Sequence, residues 1–183
     1  MIGIIGAMEE EVAALKSEMA DAKVTEFASM TFYKGTLCGK DTVVVRSGIG
    51  KVNAAICAQI LVDKFGVDTL INTGIAGSLD ARIDIGDMVI STDAVHHDMD
   101  ATIFGDAIGQ VPRMDTRTFP ADPHLVELAV KANEKANPQI HTFTGRVASG
   151  VHFFRRSEST YRGEFSGSLY RDGGRGNRAR GLP

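Results

Sequence analysis

Three consecutive carboxylates, Glu9, Glu10 and Glu11, follow the short apolar run IGIIG at the expected start of a helix. Acidic side chains in a first helical turn offset the macrodipole, worth roughly 0.3–1 kcal/mol each, and that role is sufficient for Glu9 and Glu10. Glu11 differs because it borders the apolar stripe Met8, Val12, Leu15 and Met19. From that position its carboxylate can point into a crevice at the ends of strands and orient and deprotonate a water. Two glycine-rich segments, SGIGK (47–51) and NTGIAGS (72–78), invite a second chemistry. Glycines ahead of a helix can admit a phosphate, and small residues such as Gly74, Ala76 and Gly77 let backbone approach a flat ligand closely. Neither segment is a P-loop or a full dinucleotide fingerprint, so a plain tight turn is the favoured reading of SGIGK and a sufficient one for NTGIAGS. His96, His97, Asp98 and Asp100 resemble a ligand cluster, but neighbouring strand side chains face opposite ways and no metal site is assigned.

These residues need elements to hold them. IGIIG reads as a strand buried on both faces, followed by the amphipathic helix that carries Glu11. TFYKGTL and DTVVVR read as strands around a turn at Gly39-Lys40, and Val52–Phe65 as a helix. VDTLINTG reads as the next buried strand, GDMVISTDAVHHD and IHTFTGRVASG as further strands, and Leu125–Ala136 as a helix. Residues 101–120, holding Phe104, Met114 and Phe119 among glycines and prolines, form an excursion loop suited to local packing or a subunit contact. Strands alternating with helices predict an α/β fold around a mixed, largely parallel sheet flanked by helices, with ligands beyond the carboxyl ends of the strands.

Composition narrows the classes. The 183 residues are 43% hydrophobic and 23% charged, an ordinary globular balance, and the net charge of −3 gives no pull toward nucleic acid or anionic membrane. No apolar run reaches membrane-spanning length, and the start lacks the basic flank of a signal peptide. Cys38 and Cys57 are too few for a disulfide framework, so the expectation is a cytoplasmic protein with free thiols. The average conceals a break: residues 155–183 hold seven of the twelve Arg and none of the eight Lys, and carry a net +4.

IGIIGAMEEEV, SGIGKVNAA, NTGIAGSLD and HHDMDATIFG, in this order and spacing, resemble the 5′-methylthioadenosine/S-adenosylhomocysteine nucleosidases of the purine nucleoside phosphorylase superfamily. The resemblance runs from Met1 to about Gly150. It implies a nucleoside phosphorylase-like fold and hydrolysis of an N-glycosidic bond to adenine and a thioribose, without metal or cofactor, in a cytoplasmic homodimer. It further implies that Glu11 activates the water, that Ile49 lies near the thioribose, and that Ala76 and Gly77 line the ribose and base pocket. Phe104 and Pro112 match residues that complete the neighbouring subunit's alkylthio pocket. Ile75 stands where many relatives carry Ser. A carboxylate at GAMEEE would repel phosphate, which favours water over phosphate as nucleophile. A phosphorylase, a futalosine-type nucleosidase and a non-catalytic nucleoside-binding module are the competing readings.

The resemblance ends after Gly150, where the family's later Met-Glu ribose clamp and the Asp that protonates adenine have no counterpart. Permitted codons for Leu169–Ala179, read one base downstream, encode CTEMEGAAIA, and the same offset over Val151–Arg155 encodes FISS, both family motifs. The expected organisation is therefore an incomplete nucleosidase-like domain over 1–150 and an out-of-frame, poorly ordered Arg/Gly-rich tail over 151–183. Such a chain is expected to be inactive. An RNA-binding tail is disfavoured because acids interrupt its charge and no aromatic stacking pattern accompanies it.

Overall fold

The computed structural model describes residues 1–151 and the backbone of residues 168–171. The chain divides into two units, described over Met1–Ile75 and from Ala76 onward.

In the first unit, β1 (Ile2–Gly6) lies between β4 and β5 in a five-stranded sheet of order β2-β3-β4-β1-β5. β1 runs parallel to β4 (Lys40–Arg46) and to β5 (Thr69–Asn72), while β2 (Ala20–Phe27) and β3 (Met30–Leu37) complete an antiparallel meander with β4. Both hairpin turns are two residues long. Ala28 and Ser29 (φ 49° and 60°) join β2 to β3, and Cys38 and Gly39 (φ 49° and 74°) join β3 to β4. Paired positive φ values match the right-handed twist of the flanking strands, and the second turn supplies glycine for the purpose. α1 (Glu9–Ser17) buries Val12, and α2 (Lys51–Phe65) carries the chain from β4 to β5. Ile5, Met30, Phe32, Val43, Val45, Cys57, Leu61 and Val67 form one buried cluster. Phe32 stacks on Phe65 at 5.1 Å between ring centroids, and Phe27 meets both rings edge-on.

In the second unit the order is β6-β10-β9-β7-β8. β7 (Met88–His96) runs parallel to β9 (Thr142–Ser149), and β8 (Thr118–Pro120) pairs antiparallel with β7. α3 (Pro123–Ala136) links β8 to β9. It starts with Pro123 at N1, and the Asp122 carboxylate accepts the amides of His124 and Leu125 at 2.9 and 3.0 Å. β6 (Gly77–Ser78) pairs antiparallel with β10 (Ser168–Arg171), which runs parallel to β9.

The expected mixed α/β class with flanking helices is the fold observed, but the expected largely parallel character is not: four described strand pairings are parallel and four antiparallel, shared between two sheets. Five further details differ from the sequence reading. β5, expected to be buried, is the edge strand of its sheet and leaves Leu70, Ile71 and Asn72 exposed. β2 escaped it because ADAKVTEF is exposed at all but Phe27 and shows no buried period. α1 ends at Ser17, so Met19 leaves the helical stripe and precedes β2. The excursion loop contains a 3-10 turn at Thr102–Phe104 and the short β8. The tail includes β10, which its composition did not indicate; the rest of residues 152–183 lies outside the described residues, and with it the expectation of poor order.

Candidate active site

Parallel pairing puts the carboxyl ends of β4, β1 and β5 at one edge of the first sheet. Gly6 of β1 lies opposite Arg46 of β4, and Ile5 lies opposite Asn72 of β5. Three loops therefore leave together: Ala7-Met8 after β1, Ser47-Gly48-Ile49 after β4, and Thr73-Gly74-Ile75 after β5. Backbone hydrogen bonds bind their first residues to β1. Ser47 donates its amide to the Gly6 carbonyl at 2.8 Å, and Thr73 donates to the Ile5 carbonyl at 2.9 Å. Open parallel sheets bind ligands at this edge.

Glu11 is half-buried at that edge, and its carboxylate is gripped from two directions. Oε2 accepts the backbone amides of Ala7 (2.6 Å) and Met8 (3.0 Å). Oε1 accepts the amide of Ile75 (3.1 Å), which arrives from the loop after β5. The Met8 contact is half of a capping box, with Met8 at the N-cap and Glu11 at N3. The Ile75 contact is not a helix-capping interaction, because its donor lies 64 residues along the chain. Glu9 instead pairs with Lys16 at 2.8 Å on the exposed side, and Glu10 is exposed. Glu9 also lies 3.9 Å from the Arg46 guanidinium at the end of β4, but of the three carboxylates it is Glu11 that accepts the amides of the strand-end loops.

Ile49 is half-exposed between β4 and α2 at this edge, and its carbonyl accepts the Asn53 side-chain amide at 2.8 Å. Gly48 and Gly50 on either side have φ of 80° and 102°, so the SGIG turn requires glycine for conformational reasons alone. A cleft of about 250 Å³ beside the turn is lined by Ser29, Arg46, Ser47, Gly48 and Asn53 among others, and Glu11 is not part of its wall.

The remaining expected site residues fall in the second unit. Ala76 is exposed, and Gly77 sits in β6 opposite Tyr170 of β10. Phe104 ends the 3-10 turn at 82% exposure, and Pro112 is exposed in the loop that follows. His96 and His97 are separated as their strand spacing suggested. The His96 ring packs edge-on against Phe119 at 5.6 Å, whereas His97 is buried and its amide donates to the Ser149 carbonyl. Sequence reasoning missed the Ala7, Met8 and Ile75 amides, since any residue but proline supplies an N–H and no side-chain pattern marks one.

The family profile described as the phosphorylase superfamily matches residues 1–174. A 5′-methylthioadenosine/S-adenosylhomocysteine nucleosidase from Colwellia psychrerythraea is 47% identical over 160 residues, covering 85% of this chain. The chain spans 65% of that relative's length. The crystal structure of a nucleosidase of that kind from the same organism, in complex with adenine, matches with a TM-score of 0.88 at 43% identity, covering 93% of this chain and 72% of that one. The Neisseria meningitidis nucleosidase in complex with methylthio-immucillin-A matches with a TM-score of 0.87 at 37% identity, covering 93% and 74%. The strand-end loops, the gripped carboxylate and an overlap reaching nearly three quarters of a solved relative agree, and the chain belongs to the 5′-methylthioadenosine/S-adenosylhomocysteine nucleosidase family of the phosphorylase superfamily.

Proposed function

We propose that the intact form of this protein hydrolyses the N-glycosidic bond of 5′-methylthioadenosine or S-adenosylhomocysteine. The supporting observation is the Glu11 carboxylate, fixed by three backbone amides at the carboxyl edge of the parallel strands. In this reading Glu11 takes a proton from water as the water oxygen bonds to the sugar's anomeric carbon. The bond from that carbon to the purine nitrogen breaks, and its electron pair leaves with adenine, which is protonated as it departs. The transition state is oxocarbenium-like, as in other glycoside cleavage. Ile49 borders the thioribose, Ala76 and Gly77 line the ribose and base, and Phe104 and Pro112 complete a neighbouring subunit's pocket in a homodimer. The relatives solved with adenine and with methylthio-immucillin-A support a nucleoside as the small-molecule substrate.

The purine acid and the ribose clamp have no counterpart in residues 151–183, which we read as an out-of-frame continuation. Loss of a positioned general acid alone costs about 10²–10⁴-fold, and loss of orientation adds to it. The 183-residue chain is therefore expected to release no detectable adenine from methylthioadenosine. Restoring the frame after Gly150 should recover turnover, and Glu11→Gln in the restored protein should remove it. An adenine-release assay on all three proteins decides. Turnover by the 183-residue chain would overturn the account of the tail, and turnover by the restored Gln variant would overturn the role of Glu11.

A further inference from the structure

We propose that Gly6 is a positioning residue for the Glu11 carboxylate: the space where a Cβ would sit is what lets Glu11 reach both sets of amides. The inference rests on the reading of Glu11 as the carboxylate that activates water. Gly6 closes β1 without needing glycine's backbone freedom, for its φ is not in the left-handed region. The reason for glycine here is steric. A Cβ at Gly6 would lie 2.6 Å from Cγ1 of Val12, 3.0 Å from Cβ of Glu11 and 3.3 Å from Oε2 of Glu11. The first separation is closer than carbon atoms tolerate, so one side has to move.

β1 is not the side that yields. Gly6 is paired in register with Arg46, and its carbonyl accepts both the amide of Ser47 at 2.8 Å and the Ser47 hydroxyl at 3.3 Å. Val12 is fully buried, and as a β-branched residue inside a helix it is held to essentially one χ1 rotamer. The part left to shift is the first turn of α1, which carries Glu11. Displacement there pulls Oε1 away from the Ile75 amide, because that donor is anchored separately through β5. Gly3 in the same strand supplies the contrast. A Cβ there would meet Cγ1 of buried Val67 at 2.9 Å, a methyl of partly exposed Leu70 at 3.0 Å and a methyl of buried Leu61 at 3.2 Å, and Glu11 is not among these neighbours.

The test is amide hydrogen exchange on the full 183-residue chain, read at Ala7, Met8 and Ile75, for Gly6→Ala, Gly3→Ala and Glu11→Gln. Gln keeps one acceptor oxygen and replaces the other by a donor, so it cannot hold both sets of amides. In Glu11→Gln and Gly6→Ala, exchange at Ile75 is expected to accelerate about tenfold or more, since a hydrogen bond to a carboxylate is among the stronger ones lost. Gly3→Ala is expected to lower stability and leave Ile75 close to the parent rate. Exchange at Ile75 in Gly6→Ala no faster than in Gly3→Ala overturns the proposal. Should Gly6→Ala fail to fold, Gly6→Ala with Val12→Ala relieves the 2.6 Å contact and keeps the two contacts to Glu11. Fast exchange at Ile75 in that double variant supports the proposal, and a parent-like rate overturns it. Turnover by a frame-restored Glu11→Gln protein would remove the catalytic reading and leave this measurement unaffected.

Discussion

The first unit closes a hydrophobic core of eight buried residues drawn from β1, β3, β4, α2 and the turn before β5, whereas among the described residues the buried apolar cluster of the second comprises Val95 and Ala148. The second unit is not poor in apolar residues. Ile85, Ile103 and Phe104 are 99%, 86% and 82% exposed. Its described parts are linked instead by strand pairing and polar contacts. Arg146 grips Asp93 through two hydrogen bonds of 2.6 and 2.8 Å beside a bulge in β7, and Asn133 donates to the Thr142 hydroxyl at 2.9 Å to join α3 to β9. Among the described residues, apolar side chains dominate the contacts of the first unit, and polar pairs take a larger share in the second.

The strongest test of that contrast pairs two phenylalanines. Phe32→Ala empties a fully buried site and is expected to lower stability by about 3–5 kcal/mol. Phe104→Ala changes a largely exposed one and should stay within about 0.5 kcal/mol. Urea titration of both variants measures the gap, and equal losses would dissolve the contrast. Alkaline pH probes the first core from a different side. Burial raises the Cys57 thiol from 9.0 to about 11, so the folded state retains a proton that the unfolded chain gives up first. That contribution is fully present below pH 9.0 and is lost as the pH climbs toward 11, by roughly 1–3 kcal/mol. At neutral pH a thiol reagent should modify exposed Cys38 and spare Cys57 until the chain unfolds.

The polar contacts of the second unit are expected to give smaller losses. Asp93→Ala removes the partner of a partly exposed Arg146 and should cost about 1–2 kcal/mol, discounted for solvent screening. Asp122→Ala removes the N-cap of α3 and should cost about 1 kcal/mol, read as a lowered melting temperature. Smallest is the Asp80–Arg82 pair. The Arg82 guanidinium hydrogen-bonds to the Asp80 carboxylate and lowers its pKa to about 2. Any stability it adds is present above the ordinary carboxylate value of 3.8 and lost as the pH falls through 2. Carboxyl NMR should show Asp80 titrating near 2 and returning upward in Arg82→Ala.

Legibility followed burial. IGIIG, TVVV and the Cys57–Leu61 face of α2 were readable because a strand or helix face enclosed by its neighbours leaves a periodic apolar trace. β2 left none, being an edge strand with polar residues on both faces, and β6 is too short for any period. Glu11 stood out from Glu9 and Glu10 through its place beside the stripe, which suggested a carboxylate aimed at the strand-end crevice, and the resemblance then gave it a specific role. Its grip by Ala7, Met8 and Ile75 was beyond sequence reading, because main-chain donors are common to every residue but proline. Gly6 was visible only as one glycine among twenty.

The meander has a consequence for what this stretch of gene can absorb. Its three strands are joined by two turns of two residues each, Ala28-Ser29 and Cys38-Gly39, so the chain from β2 to β4 has no slack. Successive strand residues alternate faces, and Met30 and Phe32 fall on the covered one. One added codon between Met30 and Arg46 must therefore be taken up as a bulge or an enlarged turn, or else it inverts the faces of every residue up to the next turn. The loop between Gly105 and Thr118 is under no such parity rule. Away from Pro112, inherited insertions should accumulate there and be purged from the meander, a pattern of tolerance set by turn length rather than by closeness to Glu11.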